Sequence, residues 1–98
     1  MSEINYIEIS QLCTHYEIEV TFFQSLNEYG LIELVTVEER PCIAEDKLTD
    51  LEKILRLNRD LEINLEGIDT IIHLLKRVDS LQVALAKAKE RLKFFEDN

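Results

Sequence analysis

Several features that mark enzymes and metalloproteins are scarce in this 98-residue chain. The two cysteines, Cys13 and Cys42, form no CxxC motif, and the two histidines, His15 and His73, stand in different segments. We therefore expect no metal site and no disulfide, but two small buried thiols. With two glycines in total, the chain has no Gly-rich phosphate loop, and it contains no HExxH or nucleophile motif. The sequence predicts a non-enzymatic protein without a cofactor.

Long hydrophobic runs are also missing. No apolar stretch approaches the roughly 20 residues that cross a bilayer. The first five residues, MSEIN, lack the basic and then apolar pattern of a signal peptide. The composition, 46% apolar and 32% charged, is typical of a folded soluble protein. We expect a cytoplasmic protein that makes no contact with a membrane.

Basic residues are rare in the first half of the chain. Residues 1–48 contain two bases and ten acids, a formal charge of 2 − 10 = −8, whereas residues 49–98 contain nine bases and ten acids, a charge of −1. Proteins hold DNA mainly through Lys and Arg contacts to phosphates. The first half should therefore repel nucleic acid and attract a basic protein surface.

Hydrophobic spacing and turn residues predict short elements in this half. Gly30 suits the left-handed position that ends a helix, and an acidic tip separates two β-branched runs. The predicted elements are a strand over 5–8, a helix over 10–15, a turn over 16–18, a helix over 19–29, a hairpin over 31–43 with its tip at 38–40, and a helix from 44–46 to Leu61.

The second half predicts one long helix. Asn64 is its expected N-cap, and Gly67 is expected to weaken it by about 1 kcal/mol relative to Ala. Beyond them, apolar residues alternate in steps of three and four, a heptad pattern that supports a coiled coil. We expect a homodimer through this seam, and a small Ala88 with a large Phe95 suits antiparallel packing. The seam comprises Ile71, Leu74, Val78, Leu81, Leu85, Ala88, Leu92 and Phe95.

Two stretches carry a family resemblance. The segment IEISQLC (7–13), the tight turn, the helix ending in LNEYGLI (26–32) and the hairpin resemble the MerR-type winged helix-turn-helix head. The segment RLNRDLEINLEGI (56–68), with the leucine-rich helix after it, looks like the CbpM chaperone-modulator family. The resemblance covers nearly the whole chain.

This resemblance implies a mainly α fold with two parts. Residues 1–62 would form the MerR-like head with a small β-hairpin wing, and residues 63–98 a long C-terminal coiled-coil-type dimerisation helix. CbpM-like proteins bind the J-domain of a CbpA/DnaJ-type co-chaperone and hold down its stimulation of a DnaK-type ATPase. J-domains carry a basic helix, which an acidic head would complement.

The candidate partner-binding residues lie on the second helix, the wing and the elbow before the long helix. Phe22 and Phe23 are neighbours, and we favour an arrangement with both buried. The alternative is that one serves as an apolar anchor beside the acids. The candidates are Glu17, Glu19, Phe22, Glu28, Glu33, Glu38, Glu39 and Asp60.

Two other functions fit the same pattern. A MerR-type transcriptional regulator would read DNA with the head, although the second predicted helix contains no Lys or Arg. A coiled-coil adaptor would use only the long helix and keep an inert head.

Overall fold

A computed structural model describes residues 3–96. The two-part division predicted from the sequence also includes residues 1, 2, 97 and 98, which lie outside the described residues. In chain order the elements are β1 (Tyr6–Glu8), α1 (Ile9–Tyr16), α2 (Val20–Glu28), β2 (Val35–Val37), β3 (Arg40–Ala44), a 3-10 turn (Glu45–Lys47), α3 (Leu48–Arg59) and α4 (Leu65–Glu96). The fold is the expected helix-turn-helix head with a hairpin and a long final helix.

The three strands form one antiparallel sheet in the order β1-β3-β2. The β2–β3 hairpin is the predicted wing, although its first strand is only three residues long because residues 31–34 are irregular. β1 pairs with the other edge of β3, with Ile7 opposite Ile43. Since β3 extends to Ala44, a 3-10 turn intervenes and α3 begins at Leu48, later than the predicted start.

Left-handed residues end the first two helices. Gly30, at φ 71°, follows α2, and the N–H groups of Gly30 and Leu31 donate to the carbonyls of Asn27 and Leu26 at 3.0 and 2.9 Å. This is a Schellman motif, which satisfies carbonyls that the helix end leaves open. Glu17 takes the equivalent place after α1, at φ 56°, with Ile18 N–H donating to the Cys13 carbonyl at 2.9 Å.

The core lies where α1, α2 and α3 meet the sheet and the first turns of α4. Phe23 is fully buried, but Phe22 is only half-buried, so the favoured prediction that both rings are buried is only partly correct. The expectation of two buried thiols holds for Cys42, whereas Cys13 is half-buried. The buried apolar cluster comprises Ile9, Leu12, Phe23, Leu26, Ile32, Ile43, Leu51, Ile54, Leu55 and Ile68.

The elbow between α3 and α4 corrects two predictions. Asn64 caps α4 as expected, since its Oδ1 accepts the Gly67 N–H at 2.8 Å. Gly67, however, is not a weak point, because a Cβ there would lie 2.8 Å from Ile63 Cγ2 and 3.1 Å from the capping Asn64 Oδ1. The third helix also ends earlier than predicted, at Arg59 rather than Leu61, and Leu61 is 62% exposed.

The long helix projects from the head. Its 32 residues extend about 48 Å at 1.5 Å per residue. Ile68 is buried and Ile72 packs on the core, but every residue from His73 to Glu96 is exposed. Within residues 3–96, no helix combines the length and hydropathy needed to cross a bilayer.

Candidate functional site

The predicted acidic residues are all at the surface. Every one of the six candidate glutamates is exposed, as is Asp60. They do not all line one pocket. Three of the eight candidates, Glu17, Glu19 and Phe22, line a common pocket.

This pocket, called the turn pocket below, is an open cavity of about 400 Å³ between the α1–α2 turn, the first half of α2 and the end of α3. Ile18, Phe22 and Leu55 supply its apolar surface, and Glu17 and Glu19 supply its acids. Its other lining residues are Thr21, Ser25, Asn58 and Arg59. Asp60 directly follows Arg59 in the chain, whereas the other four candidate residues do not line the pocket.

Arg59 fixes the turn that forms one wall. Its Nη2 donates to the Tyr16 carbonyl at 2.5 Å and to the Glu17 carbonyl at 2.9 Å. These bonds satisfy carbonyls at the end of α1 and hold the guanidinium against the backbone. The sequence predicted only a surface charge at Arg59, because no local pattern can predict a contact with Tyr16, 43 residues away.

Tyr16 adds a second link from α1 to α3. Its hydroxyl donates to Glu52 Oε1 at 3.0 Å. Burial raises the pKa of Tyr16 above its usual value, and the hydrogen bond to Glu52 and the charge of that carboxylate raise it further. Burial also raises the pKa of the Cys13 thiol, which makes it a poor nucleophile at neutral pH.

The exposed face of α2 offers little to a nucleic acid. It carries Val20, Thr21, Gln24, Asn27 and Glu28, with no Lys or Arg. The Asn27 Oδ1 is engaged, because it accepts the Leu34 N–H at 3.0 Å. Phosphate contacts position a protein on DNA, and this helix supplies no side chain that would attract one.

The far end of α2 meets the start of α4. The Tyr29 hydroxyl donates to Glu66 Oε1 at 3.3 Å. Loss of solvation, followed by the charge and hydrogen bond of Glu66, raises the pKa of Tyr29, and the charges of Asp69 and Glu28 contribute. Glu28 therefore belongs to this junction, which lies about 13 Å along α2 from Glu19 at 1.5 Å per residue.

The wing tip presents two acids on a strained turn. Glu38 and Glu39 have φ of 51° and 66° and connect the paired residues Val37 and Arg40. Positive φ at both central positions is the type I′ hairpin turn, which strongly prefers Asn-Gly. Arg40 does not offset these acids, because its Nη1 pairs with Glu8 Oε1 at 2.9 Å. Glu33 is exposed in the loop before β2.

The predicted seam lies open along α4. Leu74, Val78, Leu81, Leu85, Leu92 and Phe95 are 47 to 73% exposed, Ala88 is exposed and Ile71 is half-buried. The stripe is therefore accessible to a partner helix, and pairing through it stays a prediction. Leu61 and Val20, at 62% and 47% exposure, are apolar surface residues that were not among the predicted site residues.

No metal site is evident in the part of the chain that the structure describes. Among residues 3–96, no three His, Cys, Asp or Glu side chains gather closely enough to hold an ion. The groups available at the turn pocket are carboxylates, hydroxyls and one anchored guanidinium, which suit recognition of another molecule.

Comparison with known proteins gave one match. The family model described as MerR HTH family regulatory protein matches residues 7–90, which includes most of the head and most of α4. A search of curated proteins and a search of solved structures each found no match.

Proposed function

Because the chain belongs to the family of MerR HTH family regulatory proteins but carries an acidic head, we propose that it is a chaperone modulator rather than a DNA reader. It binds the J-domain of a CbpA/DnaJ-type co-chaperone through the acidic surface of the head and inhibits that co-chaperone. It acts without catalysis, in the cytoplasm, as a homodimer paired through α4.

The observation that carries this proposal is the charge of the head. Residues 1–48 have a formal charge of −8, and the exposed face of α2, the helix that reads DNA in a helix-turn-helix head, contains no base. Such a surface attracts a cationic partner and steers its approach. The CbpM-like segment over 56–68 supplies the class of partner, since J-domains carry a basic helix.

The CbpM-like segment combines structural and surface residues. Three residues shape the elbow. Asn64 caps α4, Gly67 leaves room for Ile63, and the Ile68 side chain is buried in the core. Asp60 and Leu61, in contrast, are exposed. The structural residues therefore hold the elbow in place and leave these two available to a partner.

The test is binding of the full chain to the purified J-domain of the co-chaperone. We expect a complex at low salt that weakens as salt rises to physiological strength, because the contact is between charged surfaces. We also expect stimulation of the DnaK-type ATPase by the co-chaperone to fall as the chain is added. Absence of binding at low salt would contradict the proposal.

The second candidate is a MerR-type DNA-binding transcriptional regulator, which the family match favours. A gel shift against random duplex at low salt separates the two, since even a weak DNA-binding head shows non-specific retention there. Retention of the duplex, combined with no binding to the J-domain, would select the regulator.

A further inference from the structure

We propose that the turn pocket receives one long basic side chain, an arginine or a lysine, that projects from a helix of the protein partner. This inference rests on the proposed function and assigns its main contact to one place. The turn pocket makes the direct contact with the partner. The remaining acids of the head only attract the partner over a distance.

The lining of the pocket matches such a side chain along its length. Phe22 is half-buried and Ile18 is half-buried, so both present apolar surface to the cavity. The methylene stem of Arg or Lys packs well on apolar surface while its charged head reaches the rim. An aromatic face beside a cation adds attraction, and Phe22 supplies the ring.

The acids of the pocket are available to pair. Neither Glu17 nor Glu19 forms an ion pair with any residue in the range 3–96. Glu19 Oε2 only accepts the Thr21 hydroxyl at 3.5 Å. A neutral apolar ligand would remove water from these carboxylates without replacing its hydrogen bonds. An acidic ligand would be repelled by their charge.

Arg59 does not form an ion pair with Glu17 or Glu19, although it lines the same pocket. Its Nη2 is bound to two backbone carbonyls on the turn. The lining holds two acids and one base, a formal charge of 1 − 2 = −1. The volume of about 400 Å³ is at the small end of the range for ligand pockets, about 300–1,000 Å³, which suits one side chain rather than a whole helix.

The geometry of the turn keeps the site formed in the free protein. Glu17 holds φ 56°, and its carbonyl is fixed by Arg59 across the pocket. A site that exists before binding loses less conformational entropy when its ligand arrives. An arginine or lysine would therefore meet a turn whose backbone is already in place, and only the two glutamate side chains would have to be ordered.

The first experiment compares two double variants that each remove two charges. Glu17→Gln with Glu19→Gln changes the pocket, and Glu38→Gln with Glu39→Gln changes the wing as the matched control. We expect the J-domain complex of the pocket variant to dissociate about tenfold faster, because a paired contact is lost. The wing variant should associate up to about threefold more slowly and dissociate at the wild-type rate, because distant charges act on encounter.

Equal dissociation rates for both variants, with intact binding of the wild-type chain, would overturn the pocket and leave the proposed function standing. Circular dichroism of each variant would verify that the helices are retained. Phe22→Leu, which keeps an apolar side chain but removes the ring, should also speed dissociation, by about threefold.

A second experiment does not depend on the J-domain. The full ¹⁵N-labelled chain is titrated with millimolar N-acetyl-arginine methylamide, and with the citrulline analogue, which has nearly the same shape and no charge. We expect amide shifts over residues 17–25 and 55–59 with the arginine compound only. Shifts elsewhere, or equal shifts with citrulline, would overturn the proposal. Shifts at the pocket without J-domain binding would refute the proposed function alone.

Discussion

Gly67 and Asn64 together determine how α4 leaves the head. The Asn64 side chain caps the helix on the Gly67 N–H, and the absent side chain of Gly67 leaves room for Ile63 Cγ2. Ile63 is β-branched and cannot easily rotate this methyl away. Its carbonyl also accepts the Asn58 amide at 3.0 Å. Gly67, in the first turn of α4, therefore allows a close contact that a side chain would block.

We predict that Gly67→Ala destabilises the protein by about 1–3 kcal/mol, although Ala is the better helix former. Crowding costs about 1–3 kcal/mol and a weakened cap about 1 kcal/mol, against about 1 kcal/mol of helix propensity. Urea denaturation measures the change. Adding Ile63→Ala should reduce the penalty of Gly67→Ala, and an equal penalty in both backgrounds would show that this contact does not constrain the site.

Tyr16 makes stability depend on alkaline pH. Because its folded pKa is raised above the ordinary value of 10.0, folding favours the neutral phenol. This contribution is complete below pH 10 and is lost as pH rises toward the folded pKa. Tyr16→Phe should therefore lose less stability between pH 9 and 11 than the wild-type chain, in urea denaturation at each pH. Tyr6→Phe is the control, and the same alkaline loss in Tyr16→Phe as in wild type would contradict the assignment.

At the scale of elements, the wing shows a turn that its sequence does not favour. Both central residues of the β2–β3 turn are glutamates at positive φ, where a non-glycine residue is held at a cost of about 1–2 kcal/mol. The hairpin still forms because β3 is paired on both sides and contributes Cys42 and Ile43 to the buried interior. Tertiary pairing, rather than the turn, maintains this element.

We predict that Glu38→Asn with Glu39→Gly raises stability by about 1–2 kcal/mol, since Asn-Gly fits the type I′ turn. Thermal and urea denaturation would measure it. Glu38→Gln with Glu39→Gln removes the same charges without easing the backbone and should give a smaller gain. If the two variants gain equally, relief of charge repulsion rather than of backbone strain explains the effect.

The elements that sequence reasoning identified have local signals. Gly30 after α2, the Asn64 cap and the heptad spacing of α4 each lie within a few residues of what they specify. The pairing of β1 with β3 and the Arg59 bonds to the turn depend on residues that are far apart in the sequence and meet only in the folded chain. The end of α3 was predicted at Leu61 because this residue keeps helical spacing with Ile54 and Leu57, whereas the helix ends at Arg59.

The same distinction applies to the candidate site. The excess of acids in the head can be counted from the sequence, and exposure of these acids is expected because charged side chains are rarely buried. Which acids share a pocket could not be predicted, because Glu17 and Arg59 come together only through the packing of α1 and α2 on α3.

At the scale of the whole molecule, the chain is elongated. Its radius of gyration is 18.5 Å, against about 13 Å for a compact domain of 100 residues. The excess comes from α4, which is exposed from His73 to Glu96 and carries an exposed apolar stripe. Exposed stripes of this kind mark association surfaces, which supports the proposed homodimer.

We predict that the chain runs at twice its monomer mass in multi-angle light scattering, and that Leu81→Glu with Leu85→Glu gives the single-chain mass. Charges in the middle of a coiled-coil seam disrupt the packing of both helices. Val83→Glu is the control, since Val83 is also about half exposed (48%) but lies off the seam. A monomeric wild-type chain, or equal masses for the two variants, would refute pairing through these residues.

The position of β1 in the sheet has a practical consequence for anyone who shortens or tags this protein. Besides the ladder to β3, the Asn5 carbonyl accepts the Glu45 N–H at 2.8 Å, so residues 5–8 hold the segment that leads into α3. A truncation that begins at Ile9 would strip one side of β3 and leave bare backbone donors and acceptors along it. Uncovered strands recruit other strands, and such a fragment would aggregate before it revealed anything about the helices that follow.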